Sequence, residues 1–215
     1  MIIIFLHRCL LLFIMSIRVG IARLLVNVAV GCCSAALTYV MYTYFNKEQN
    51  EVLFFYGNNS TSCSSSNSDN TINALNHCNC MDCNVLKIIS WIDGAKKTLD
   101  ICLYVFNHEM LLKAVINAHK RGVCVRLILN EDNSRLTWNL GCIGIPKRVK
   151  NPELNSNLMH HKFTIIDNKR IILGSLNWSQ NATRSNWENI FITNECEIVN
   201  TFKQEFQRLW LEFND

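Results

Sequence analysis

The chain has 215 residues, of which 49% are hydrophobic and 18% charged, a balance that excludes a disordered protein and fits one packed domain with additions. Two prolines and eight glycines exclude collagen-like and Pro-rich architectures, and no repeat period marks a solenoid or propeller. The net charge of +4 is uneven: residues 1–45 hold Arg8, Arg18 and Arg23 and no acid, so the remaining body is close to neutral. Binding of a polyanion therefore requires a local patch rather than a global field.

The first 45 residues form an anchor and targeting segment. Leu24–Phe45 carries no charge and is long enough at about 1.5 Å per residue to cross a hydrocarbon core of about 30 Å. Tyr39, Tyr42 and Tyr44 crowd its end, where amphipathic rings suit a membrane interface. A shorter apolar run, Cys9–Ile17, follows His7 and Arg8 and has the length of a signal core. A retained anchor is the main expectation, with a cleaved signal or a buried helix as alternatives.

Residues 46–215 are expected to be the catalytic domain. Residues 56–72, rich in Ser and Asn, read as a loop. Val85, Ile88, Ile89 and Ile92 fall at helical spacing, and Asp93-Gly94 breaks the pattern. Leu99–Val105 alternates as a strand. Asn107 is placed to cap a helix over 108–120 that stops at Gly122, and Val123–Leu129 is a second strand. In residues 130–158, Ile143, Ile145 and Val149 hint at a strand beside the basic residues Lys147, Arg148 and Lys150. Phe163–Ile166 and Ile171–Leu173 form a hairpin through Asp-Asn-Lys-Arg, Asn189–Thr193 is a strand, and Glu195–Phe213 is a final amphipathic helix. Alternating helices and strands predict an α/β domain with helices packed on a sheet.

Chemistry concentrates in residues 160–177, HHKFTIIDNKRIILGSLN. His160, Lys162 and Asp167 make H-x-K-x4-D, and Gly174-Ser175-Leu176-Asn177 follows after six residues. On a strand, positions i and i+2 face one side, so an imidazole and an ammonium meet in one pocket. Imidazole is a nucleophile at neutral pH, and ammonium neutralises a phosphoryl oxygen. Ser175 and Asn177 add a hydroxyl and an amide if the hairpin brings them alongside. This donor set needs no catalytic metal.

These residues resemble the signature of the phospholipase D superfamily, the HKD phosphodiesterases. The similarity is closer to its subfamily of mitochondrial cardiolipin hydrolases, or Zucchini endonucleases, in EVLFF (51–55), RGVCVRLI (121–128), MHHKFTIID (159–167) and GSLNW (174–178). The resemblance implies a mixed sheet sandwiched by helices. It implies His160 as nucleophile or general acid, Lys162 and Asn177 on the phosphate, Ser175 assisting, and Asp167 bracing the hairpin. Glu188, 28 residues after His160, would orient the imidazole. His161 sits on the opposite strand face. One motif copy implies a homodimer that shares a site, one His160 from each subunit.

The resemblance also implies a zinc site in the Cys-rich insertion, residues 63–83. Cys63, Cys78, Cys80 and Cys83 offer four soft ligands, with His77 as an alternative; free thiols or disulfides are the competing readings. For substrate, it implies a single-strand-specific endoribonuclease of piRNA biogenesis in the germ line, with piRNA-pathway partners, or a hydrolase of cardiolipin giving phosphatidic acid. Lys147, Arg148, Lys150, Lys169 and Arg170 are the candidate lining of an RNA groove, and the nuclease is the favoured expectation. A non-enzymatic mitochondrial adaptor is a third. The implied location is the mitochondrial outer membrane, single-pass, with the domain in the cytosol.

Overall fold

The computed structural model describes residues 2–45, 47–57, 81–131, 137, 140–150 and 157–214. The chain divides into two compact units, Met1–Lys47 and Glu48–Asp215.

In the first unit, helix α1 (Ile2–Phe45) is continuous, so the two apolar runs expected as separate segments are one helix. Its stretch Arg18–Thr43, 26 residues of mean hydropathy 1.9, is long and apolar enough to cross a membrane. The hydroxyls of Ser34, Thr38 and Thr43 donate to backbone carbonyls three or four residues earlier. Such internal bonding removes their need for water.

The second unit is built on a seven-stranded mixed sheet in the order β1-β7-β6-β5-β2-β3-β4. The strands are β1 (Asn50–Tyr56), β2 (Thr98–Leu103), β3 (Cys124–Leu129), β4 (Lys147–Val149), β5 (Lys162–Ile166), β6 (Arg170–Gly174) and β7 (Trp187–Thr193). The helices are α2 (Met81–Asp93), α3 (Glu109–Lys120), α4 (Gln180–Ser185) and α5 (Cys196–Glu212). β2, β3 and β4 run parallel to one another, and β2-β5-β6-β7-β1 pair antiparallel.

Strand alternation sorts the core into two layers. Leu99, Ile101, Leu103, Leu127, Ile166, Ile172 and Ile190 pack with the Val85, Ile88 and Ile92 stripe of α2 and with Leu111 and Val115 of α3. Cys102, Ile128, Phe163, Ile165 and Ile171 face Val199, Phe206 and Leu209 of α5. On that second side the buried Asp100 carboxylate accepts two bonds of 2.7 Å from the Arg126 guanidinium, which lies over the Phe206 and Trp210 rings.

Several local expectations shift. β2 ends at Leu103 rather than Val105. Its neighbour loop takes over there: Phe106 bridges to Trp178, and the N–H groups of Asn107 and His108 both donate to the Trp178 carbonyl. The residue at the helix N-cap is therefore His108, without a side-chain cap, and not Asn107. Ile143 closes a short 3-10 turn, Gly141–Ile143, and the strand lies one step later at β4. β1 and α4 carry no clear period and had no expected counterpart.

The β5–β6 turn is held by Asp167 and Asn168, both in the left-handed region at φ 54° and 55°, which Asp and Asn tolerate better than most residues. The Asp167 carboxylate accepts from the backbone N–H groups of Lys96, Lys97 and Thr98, at 2.6–3.1 Å. Partial burial alone would raise its pKa; those three bonds, with Arg170, outweigh burial and hold it below the ordinary 3.8. The stabilisation is present above that value and lost as pH falls through the lower folded one. Asp167→Asn keeps the turn backbone but removes the charge, and should cost about 1–2 kcal/mol near neutral pH. Thermal unfolding of the full chain should show that gap close in acid; a gap equal at pH 7 and at pH 3 would contradict the assignment.

Candidate active site

Register fixes the site. Leu103 pairs with Lys162, Phe163 with Leu173, and Gly174 with Ile190. The last residues of β2 and β6 and the first of β5 and β7 therefore share one end of the sheet. Beyond β5 the pairing continues, since the Tyr104 N–H donates to the His161 carbonyl at 2.8 Å. His160 thus precedes the strand by two residues and remains exposed.

Lys162 Nζ lies 3.0 Å from His160 Nδ1 and donates to the His160 carbonyl at 2.8 Å. An ammonium can only donate, so Nδ1 is the acceptor and the neutral ring carries its proton on Nε2. Desolvation, then the charges of Lys162 and His161, push the imidazole below its ordinary 6.5. Burial also lowers the Lys162 pKa, against the opposing charge of Glu188. His161 points the other way, its Nε2 3.4 Å from Glu205 of α5 and its ring beside Phe163.

Gly174 explains the G of G-S-x-N. At φ 155° a Cβ there would stand 2.2 Å from the Asn189 carbonyl oxygen, so only glycine lets β6 close on β7. The close approach seats Ser175: its N–H donates to the Asn189 carbonyl, its Oγ accepts from the Asn189 N–H at 3.0 Å, and its hydroxyl donates to Glu188 Oε2. Glu188 Oε1 accepts from Asn186 at 2.9 Å. Both Glu188 oxygens thus accept hydrogen bonds, from Ser175 and Asn186, and among the described residues no hydrogen bond joins Glu188 to His160. Asn177 Oδ1 is buried with no hydrogen-bond partner among the described residues.

His160, Lys162, Ser175, Asn177 and Glu188 therefore belong to one end of the sheet. Asp167 does not join them. It sits at the far end of β5, about 17 Å away by strand rise, because the turn that holds it reverses the chain there. Lys169 and Arg170 share that far end, and the Arg170 guanidinium lies over Trp91 at 5.1 Å. Lys147, Arg148 and Lys150 belong to β4 and its exit, where Arg148 stacks on Trp210 at 4.4 Å. The five cations expected to line one groove are split between opposite ends of the sheet.

Tyr104 escaped sequence reasoning. Its ring centroid is 4.4 Å from that of His160, and Lys162 Nζ stands 5.1 Å from it. Its position directly after an alternating apolar strand was the available signal. Also beside His160 is a cavity of about 350 Å³ lined by Lys150, Leu158, His161, Arg208, Leu209 and Phe213. Of the expected zinc ligands, Cys63, Cys78, Cys80 and His77 lie outside the described residues. Cys83 is buried in the first turn of α2. Among the described residues no cluster of three or more metal-ligating side chains forms, so a zinc-binding insertion has no support from them.

Residues 88–210 match the family model described as cardiolipin synthase, PLD-like domain. The chain belongs to the phospholipase D-like family. It is 36% identical over 126 residues to a Danio rerio protein named mitochondrial cardiolipin hydrolase, covering 58% of this chain and 56% of that one. The Homo sapiens protein of that name is 39% identical over 124 residues, 56% of this chain and 48% of the relative. The chain thus spans about half the length of these relatives. Among solved structures, the phospholipase D family member Nuc from Salmonella typhimurium superposes with a TM-score of 0.60 at 25% identity, over 79% of this chain and 98% of that one. NucT from Helicobacter pylori does so with a TM-score of 0.57 at 23% identity, over 78% and 98%, and shows the fold.

Proposed function

We propose that the protein is a phosphodiesterase in which His160 is the nucleophile and a phosphohistidine the intermediate. The observation that carries this reading is the His160–Lys162 pair, held at one sheet end with Ser175 and Asn177. A phosphodiester oxygen is a stronger acceptor than neutral imidazole, so bound substrate draws Lys162 away from Nδ1. Nδ1 then takes up the ring proton by exchange with water, and Nε2 is free to attack. The N–P bond forms as the P–O bond to the leaving group breaks. The departing alkoxide takes a proton from a second imidazole, and water then attacks phosphorus, returning that proton and releasing His160.

One chain supplies one such imidazole, so the second is assigned to His160 of another copy. Val52, Phe54 and Tyr56 on β1 and Trp187 on β7 support this pairing. Leu53 and Phe55 enter the core on the α2–α3 side, which leaves Val52, Phe54 and Tyr56 exposed on the opposite face. Trp187, 75% exposed, meets the Tyr56 ring edge-on beside Glu188. An apolar, aromatic patch of this kind marks an interaction surface.

For substrate we infer cardiolipin, cleaved to release phosphatidic acid. What supports it is the name of the relatives, the apolar helix Arg18–Thr43, and the apolar side chains of Leu158, Leu209 and Phe213 in the cavity beside His160. The single-stranded RNA reading loses its main support because its basic groove is divided. A mitochondrial outer-membrane location with the domain in the cytosol goes with the lipid reading. A structural zinc on Cys63, Cys78, Cys80 and Cys83 belongs to this proposal too, but no step of the reaction passes through it.

The test is turnover by the full chain in detergent, on cardiolipin vesicles and on single-stranded RNA, with EDTA present. Phosphatidic acid should appear, and His160→Asn should lower the rate by about 1,000-fold or more. Because the imidazole is held below 6.5, the rate should stay high until pH drops under that value and then fall as the nucleophile is protonated. Cleavage of RNA alone would overturn the lipid assignment, and unchanged turnover by His160→Asn would overturn the nucleophile. Separately, Trp187→Arg should convert a sedimenting dimer to monomer and lower turnover in step; a dimer that persists would remove this face from the interface.

A further inference from the structure

We propose that Tyr104 is a positioning residue that holds the His160 imidazole and the Lys162 ammonium in their mutual arrangement through the face of its ring. The inference rests on the reading of His160 as the reacting group.

Three contacts meet at this side chain. Its backbone N–H donates to the His161 carbonyl at 2.8 Å, which locks the loop after β2 against the residues before β5. Its ring centroid lies 4.4 Å from the His160 ring, tilted by 54°. Lys162 Nζ is 5.1 Å from the same centroid, within the range where an ammonium is attracted to an aromatic face. One ring thus touches both members of the pair.

This matters because neither member is otherwise well restrained. His160 lies outside the strand and is exposed, and among the described residues its ring bonds through Nδ1 to Lys162. Among the described residues Lys162 Nζ makes its hydrogen bonds to His160, with the Glu188 charge acting on it from β7. When substrate draws the ammonium toward a phosphate oxygen, the imidazole loses its hydrogen bond to Lys162. The Tyr104 ring remains against it and keeps Nε2 in line for attack. The ring also shields the imidazole from water on one side. The charged and titratable groups around this imidazole are Lys162 and His161, Lys150, Arg208 and Glu212 along the adjoining cavity, Glu205 behind His161, and Glu188 acting on Lys162 from β7. Of these groups, Lys162 is the one that meets the Tyr104 ring.

The contact uses the ring and not the hydroxyl, and that separates two substitutions. Tyr104→Phe should keep turnover within about twofold of the native chain. Tyr104→Leu, similar in bulk but without a π face, should lower kcat about tenfold with KM little changed. Imidazole NMR titration of the full chain in detergent supplies a readout that needs no activity. His160 in Tyr104→Leu should titrate at lower pH than in the native chain, because Leu keeps the bulk but removes the π face that favours the imidazolium, and in Tyr104→Phe as in the native chain. A Tyr104→Leu variant with native kcat and native titration would overturn the proposal, as would a Tyr104→Phe variant as impaired as Tyr104→Leu. Should the native chain hydrolyse no phosphodiester at all, the reaction reading fails, while the titration still decides whether Tyr104 positions His160.

Discussion

The antiparallel register of β2, β5, β6 and β7 is the constraint from which the rest follows. With Leu103 opposite Lys162 and Gly174 opposite Ile190, groups separated by 84 residues of chain, from Tyr104 to Glu188, come to one end of one sheet. Strand side chains alternate, so a slip of one residue would send Lys162 to the α5 face and Phe163 to the other. The cost of such a slip is the whole Phe163–Phe202–Phe206 cluster. Core packing on one side of β5 thus fixes the chemistry on the other.

The two ends of the β5–β6 hairpin show opposite electrostatic arrangements. At the turn, the Asp167 carboxylate is saturated by three backbone N–H groups and serves the fold. At the open end, the Lys162 ammonium donates to His160, with the Glu188 charge acting on it from β7. A cationic donor held at this end of the sheet is what an anionic substrate needs. Gly174 links the two arrangements, since its lack of a side chain lets β7 carry Glu188 to Ser175.

Much of this was legible from residue order. The helix at 81–93, strands β2, β3, β5 and β6, and the last helix all have strong periodicity because each buries one defined face. His160, Lys162, Ser175, Asn177 and Glu188 were marked by residue type and spacing. What escaped depends on contacts between distant segments. Asn107 reads as a helix cap by type, but its N–H is committed to Trp178. The five basic residues look like one patch in sequence, yet sheet order divides them between opposite ends. Glu188 reads as the partner of His160, and the hydrogen bonds it accepts here come from Ser175 and Asn186. Tyr104 belongs to no motif, and only the pairing of its N–H with His161 puts its ring against His160.

The central claim is that the His160 imidazole bonds covalently to phosphorus. Rapid quench of the native chain with excess phosphodiester, followed by peptide mass spectrometry at alkaline pH, tests it directly. The account predicts a phosphoramidate on His160 that forms before steady state and disappears as substrate is consumed. An adduct on His161, or steady turnover with no adduct on any histidine, would contradict it.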